Sequence, residues 1–93
     1  MISADSGPDR RLFVVYLGGD VAAGRMGEDH EVVLVAAPDP KAARRQAKAK
    51  WSGVGRAHVD ALAEIHRIDG HRVRLEPDDS DGDEIDVDPR YVP

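Results

Sequence analysis

The run Arg11-Leu12-Phe13-Val14-Val15-Tyr16-Leu17-Gly18-Gly19 places six consecutive apolar residues, Leu12 to Leu17, directly before a double glycine. It is too short for a helix of typical length, is rich in Val, Phe and Tyr, and lacks polar alternation. Those features predict a strand covered on both faces, and therefore a central one. Gly18-Gly19 reads as the stop of that strand, because glycine takes φ > 0 at a strand end without steric cost.

Downstream, Asp20–Asp29 is a loop with two more glycines, Gly24 and Gly27. Val32–Ala36 is a second apolar, β-branched run, closed by Pro38. Asp39-Pro40 then opens a helix: Asp39 suits the N-cap, and Pro40 suits the first helical position, where its missing N–H would be unpaired anyway. Ala43, Ala47 and Trp51 fall at i, i+4 and i+8 and form a narrow apolar stripe. Small alanines let the helix lie close on a sheet, Trp51 supplies most of the buried area, and Gly53 is the expected stop.

Val54–Ala57 reads as a connector. The composition of 58–66 allows either helix or strand, but Asp69-Gly70 is a strong two-residue hairpin signal. It favours strands at 62–68 and 71–76. Glu84–Asp88 alternates as well. Laid antiparallel on the preceding strand, it would place Asp86 opposite Arg74 and Asp88 opposite Arg72; otherwise the tail stays disordered. The order β-β-α-β-β describes an α+β fold, a small two-layer sandwich with one helix packed on a mainly antiparallel sheet.

Ninety-three residues are enough for one domain. Residues 1–10 are expected to form a flexible N-terminus, 11–76 the domain, and 77–93 an acidic tail with an edge strand at 84–88 in the ordered case. There is no cysteine, hence no disulfide and no thiolate metal site. No apolar run is long enough to span a membrane and no leader is evident, so the expectation is a soluble, cytoplasmic protein. The net charge is −5, with five bases and no acid in 41–50 and seven acids against Arg90 in 77–93. An acidic chain of this kind is a poor binder of nucleic acid, and the two segments can attract each other.

Two short polar clusters stand out: Glu28-Asp29-His30-Glu31 before the second strand, and His58-Val59-Asp60 after the helix. If the loops carrying them meet at one edge of the sheet, then Glu28, His30, Glu31, His58 and Asp60 converge. Two imidazoles with carboxylates are the donor set of a mononuclear metal site, with His30, His58 and Asp60 the candidate ligands, or of a general acid–base pair. The competing reading is structural, with these groups capping backbone at strand entry. No spacing here equals a ligand motif such as HExxH, so neither a metal nor any other cofactor is implied by motif. The glycines do not form a phosphate loop, since the loop leads into a strand and offers no helix N-terminus. Pro77–Asp88 lacks a carboxylate at the first position of a calcium loop. The basic helix either solvates an alanine-rich element or faces an acidic partner.

Leu12–Gly19, Glu28-x-His30-Glu31, Val32–Val35, the Ala-rich helix ending in Lys50-Trp51, His58-x-Asp60 and Asp69-Gly70-His71-Arg72-Val73 together resemble a small bacterial family known only as a domain of unknown function, DUF1543. The resemblance spans about Leu12–Leu75 as a single copy of the unit. The family pattern has Asp where this chain has Glu31, often an aromatic where it has Ser52, and commonly an aromatic where it has His71. Family members hold one or two copies, which implies that a homodimer here replaces the second. The resemblance implies no activity, but it directs attention to Gly18, Gly19, Glu28, His30, His58 and Asp60.

The favoured expectation is a non-enzymatic binding or protein-interaction module, dimeric, with an unidentified protein partner. The alternative is a metal-binding or hydrolase-like site at Glu28, His30, His58 and Asp60. The two differ in whether His30 and His58 approach closely enough to share an ion.

Overall fold

The computed structural model describes residues 10–20, 24 and 26–90. The expected flexible N-terminus lies, apart from Arg10, outside them. The elements are β1 (Arg11–Asp20), β2 (Asp29–Ala37), α1 (Pro40–Ala49), β3 (Val54–Ile65) and a short hairpin of β4 (Arg67–Ile68) and β5 (His71–Arg72). The first three strands form an antiparallel sheet in the order β2-β1-β3. The expected α+β class, one helix on a mainly antiparallel sheet, is the architecture observed.

β1 is central in strand order, but among the described residues a second layer covers only one of its faces. Phe13, Val15 and Leu17 are fully buried and pack with Val35, Ala37, Ala42, Ala43 and Ala47 beneath α1. Tyr16 is exposed and Leu12 and Val14 are half-buried, because among the described residues no second layer lies on their side. An all-apolar strand therefore does not here signal two covered faces. Alanines 42, 43 and 47 bring the helix close to the sheet, as the thin stripe predicts. Trp51 lies just beyond the helix and is half-buried, so Phe13, not Trp51, is the large aromatic of the core.

The start of α1 follows its chemistry. The Asp39 carboxylate accepts the Ala42 N–H at 2.8 Å, and Pro40 stands in the first turn. The helix ends before Gly53, at Lys50, whose N–H reaches back to the Ala47 carbonyl at 2.9 Å. Gly53 serves a packing purpose instead: a Cβ there would run into the Asp20 carbonyl and lie 2.6 Å from the Trp51 ring.

Gly18-Gly19 does not stop β1, which runs on to Asp20. Neither glycine is among those with positive φ. What they supply is room, one on each face. A Cβ on Gly19 would come within 3.0 Å of the Arg56 carbonyl and of the Trp51 ring, while Gly18 faces the opposite, open side. With β1 extended, β3 can pair along its whole length, down to Asp20 opposite Val54. Val54–Ala57 is accordingly strand rather than connector. The stretch 58–66, open between helix and strand in the sequence, is strand through Ile65.

The hairpin turn is where Asp-Gly predicts it. Asp69 has φ 50° and Gly70 φ 77°, the doubly positive geometry whose twist suits two-residue hairpins. Its strands are only two residues long each, shorter than the expected 62–68 and 71–76 pair, because the hairpin projects past the start of β1 and, among the described residues, meets no third strand. No strand forms at 84–88. Asp88 bonds Arg90 at 3.0–3.2 Å, not Arg72, and the Arg90 guanidinium and backbone N–H hold its carboxyl below the usual value. Ile85 and Val87 stay exposed. The tail meets the end of the basic helix through Lys50, which donates to Asp83 at 2.9 Å and to the Leu34 carbonyl at 2.6 Å.

Candidate metal centre

The open face of the sheet is a grid of rows across β2, β1 and β3. Register sets Ala36, Leu12 and Ile65 side by side, then Leu34, Val14 and Ala63, then Val32, Tyr16 and Ala61, then His30, Gly18 and His58. Three apolar rows end in one polar row. Directly opposed residues in antiparallel strands have Cβ atoms ~4.5–5.5 Å apart. The two histidines thus flank a central position without a side chain, and their rings lean over it.

Two further groups enter that space. A register shift between Tyr16/Ala61 and Leu17/Val59 leaves Asp60 as the extra residue of a bulge, which turns its carboxylate toward Gly18. Glu28 arrives from the residue before β2. The result is a closed set of contacts. His30 Nε2 lies 3.4 Å from Glu28 Oε1 and 3.2 Å from Asp60 Oδ2. His58 Nε2 lies 3.3 Å from Glu28 Oε2 and 3.1 Å from Asp60 Oδ1. Both carboxylates therefore sit between the two imidazoles, one oxygen toward each. The ring of Tyr16 stacks on His30 with centroids 4.9 Å apart and planes 9° from parallel, which fixes the imidazole's orientation.

Gly18 is the floor of this arrangement. A Cβ at that position would lie 2.7 Å from Asp60 Oδ2, 2.7 Å from His58 Nε2 and 3.2 Å from Glu28 Oε1. The four side chains are exposed to degrees ranging from 33% at Asp60 to 51% at His58, so the cluster opens to solvent above the sheet.

One ligand atom each from Glu28, His30 and Asp60 can be chosen so that all three lie within 4.8 Å of one another. A tetrahedral ion with bonds of ~2.0–2.1 Å holds its donors ~3.3 Å apart, close to the imidazole–carboxylate separations here. Three protein donors on an open face leave coordination positions for water, the pattern of reactive rather than purely structural sites. Imidazole with carboxylate suits first-row divalent ions such as Zn²⁺ or Mn²⁺ and, lacking sulfur, not Cu⁺.

Of the sequence candidates, Glu28, His30, His58 and Asp60 converge, and they lie on or beside strands, not in two separate loops. Glu31 does not join them. Neighbours in a strand face opposite ways, and Glu31 points to the helix side, where its carboxylate accepts from the Ser52 hydroxyl at 2.6 Å and the Ser52 N–H at 3.1 Å. It clamps the segment after α1 onto β2. Glu31→Ala is expected to cost about 1–2 kcal/mol, since it leaves these donors without their acceptor. Ion affinity should stay unchanged, which titration of the refolded variant would check. Gly19 belongs to the Trp51 packing, not to the cluster. Tyr16 was missed by sequence reasoning. The signal was its place two residues before Gly18, on the same face of the strand.

A family model described as Domain of Unknown Function (DUF1543) matches residues 25–75, more than half of the chain. The match includes Glu28, His30, His58 and Asp60; Tyr16 and Gly18 precede it. No curated protein and no solved structure matches the chain. Among the described residues, no helix is long and apolar enough to cross a membrane.

Proposed function

This chain belongs to the DUF1543 family; as that description carries no activity, we propose from the geometry of the cluster that it binds a divalent first-row metal ion. His30 Nε2, Glu28 Oε1 and Asp60 Oδ2 are the ligands. His58 holds the outer oxygen of each carboxylate and so aims both inward, the role second-layer partners play around metal sites. The observation carrying this reading is that two carboxylates lie between two imidazole Nε2 atoms at 3.1–3.4 Å, above a glycine whose Cβ would fill the space. With positions left to water, the bound ion would supply Lewis acidity or an activated water. This favours the hydrolase-like alternative over a purely non-enzymatic module.

Titration calorimetry of the full chain with Zn²⁺ and with Mn²⁺ tests the assignment. One ion should bind per chain. His30→Ala should abolish binding, whereas His58→Ala should weaken it only by ~10–100-fold, the usual cost of losing an outer partner. Absence of saturable binding, or a His30→Ala variant that binds like the parent, would refute it and leave a hydrogen-bonded polar cluster.

A further inference from the structure

The contacts of the cluster divide into two matching halves. On one side His30 Nε2 faces Glu28 Oε1 at 3.4 Å and Asp60 Oδ2 at 3.2 Å. On the other His58 Nε2 faces Glu28 Oε2 at 3.3 Å and Asp60 Oδ1 at 3.1 Å. The ion assigned above uses the first half alone. The second half offers the same donor set: one imidazole nitrogen and one oxygen from each carboxylate.

We propose that the cluster takes a second divalent first-row ion, on His58 Nε2, Glu28 Oε2 and Asp60 Oδ1, so that Glu28 and Asp60 bridge a pair of ions with one imidazole at each end. This rests on the first ion being held by His30, Glu28 and Asp60. His30 and His58 stand on β2 and β3 with Gly18 of β1 between them, two strand spacings or ~9.5 Å apart at the backbone. The carboxylates occupy the middle. One ion bonded to both imidazoles would have to displace them, whereas one ion at each end keeps both. In both halves the nitrogen–oxygen separations are close to the ~3.3 Å between donors of a tetrahedral ion with ~2.0–2.1 Å bonds. Ions bridged in this way lie within a few ångströms of each other, as in two-metal sites with ~3.5–4 Å between the ions. Gly18 makes room for both halves. A Cβ there would lie 2.7 Å from Asp60 Oδ2, a donor of the first, and 2.7 Å from His58 Nε2, a donor of the second.

The halves fill in order. Among the described residues, the ring stacked on an imidazole is Tyr16, on His30. His58 has the most exposed side chain of the four, at 51%. The first ion therefore fixes both carboxylates from the His30 side, and their outer oxygens then form a firm second set with His58. Charge acts in the same direction. Two carboxylates offset one dication, and the second adds charge that they no longer offset, so it binds more weakly. The single ion of the calorimetric titration is the first, and the second enters at higher concentration. With both bound, a water between them is polarised by two ions rather than one.

Equilibrium dialysis of the full chain against Mn²⁺, from micromolar to millimolar, tests the second site, with bound metal counted by atomic emission and its state read by electron paramagnetic resonance. Two Mn²⁺ per chain are expected, the second at least ~10-fold weaker. Its arrival should replace the hyperfine pattern of an isolated Mn²⁺ with the exchange-coupled signal of a pair. His58→Ala, at an exposed position, should keep the first ion with the ~10–100-fold loss of an outer partner, and lose both the second ion and the coupled signal. One Mn²⁺ at every concentration overturns the second site and leaves the first standing. A second Mn²⁺ that gives no coupled signal, or that survives in His58→Ala, is bound elsewhere, as on the acids of residues 78–88, and overturns the proposal equally. Failure of the first ion reads differently, as no saturable binding at all, and overturns both.

Discussion

Gly18→Ala is expected to abolish ion binding, by at least ~100-fold, in a protein as stable as the parent or more so. The added methyl would stand 2.7 Å from Asp60 Oδ2 and from His58 Nε2 and 3.2 Å from Glu28 Oε1. All three obstacles are tips of side chains on an open face, so they can rotate into solvent at little cost. What they cannot do is keep their mutual geometry, because the methyl occupies the space they share. Displacements of this size remove donors from a first coordination shell whose bonds tolerate only ~0.2 Å. Meanwhile a glycine inside a strand is a source of instability, roughly 0.5–1 kcal/mol relative to alanine. Gain of stability with loss of binding is the signature of a residue kept for a site rather than for the fold. Gly19→Ala is the control. Its methyl meets the Arg56 carbonyl and the Trp51 ring, both at 3.0 Å, and backbone moves less readily. It should lose about 1–3 kcal/mol by overpacking while retaining the ion. Urea denaturation and calorimetric titration of the pair decide the matter: if the Gly18→Ala protein still binds with the parent's affinity, the ion is not held above Gly18.

Phe13→Ala is expected to be the most damaging single change to the fold. Phe13 is fully buried, at the centre of the sheet and beneath the alanines of α1. Neighbouring alanines are too small to swing into the vacated volume, so the cavity persists and the cost should reach ~3–5 kcal/mol. A domain with about 67 foldable residues has total stability of only ~3–10 kcal/mol, at ~0.05–0.15 kcal/mol per residue. The variant should therefore be largely unfolded at 37 °C, with lost near-ultraviolet dichroism and a urea midpoint near zero. A midpoint shifted by less than ~1 kcal/mol equivalent would show that the core lies elsewhere.

How far the chain could be read without its structure depended on whether the signal was local. The Asp39-Pro40 helix start and the Asp69-Gly70 turn were legible because each is decided by dihedral preferences and hydrogen bonds within four residues. The alanine stripe revealed the buried side of α1 for the same reason. Signals that depend on distant neighbours misled. Gly18-Gly19 looks like a strand stop when only flexibility is considered, but its function is to make room for Trp51 on one face and for His58 and Asp60 on the other. The all-apolar β1 looks doubly covered, since apolar composition does not record whether a second layer is present.

The candidate cluster divides in the same way. The two polar segments, Glu28–Glu31 and His58–Asp60, and the family to which the chain belongs were already accessible from the order of residues alone. Convergence was not. It required β2 and β3 to flank β1 in a register that sets His30 and His58 on either side of Gly18, and a bulge that turns Asp60 inward. The same register sent Glu31 to the other face to hold Ser52. The chain by itself thus determined the α+β class, the helix, the turn and the set of candidate donors, because propensity and capping act over a few residues. Only the tertiary structure decided which donors meet, because strand pairing joins residues 28 positions apart and the side-chain period of two sends a donor one position away to the opposite face.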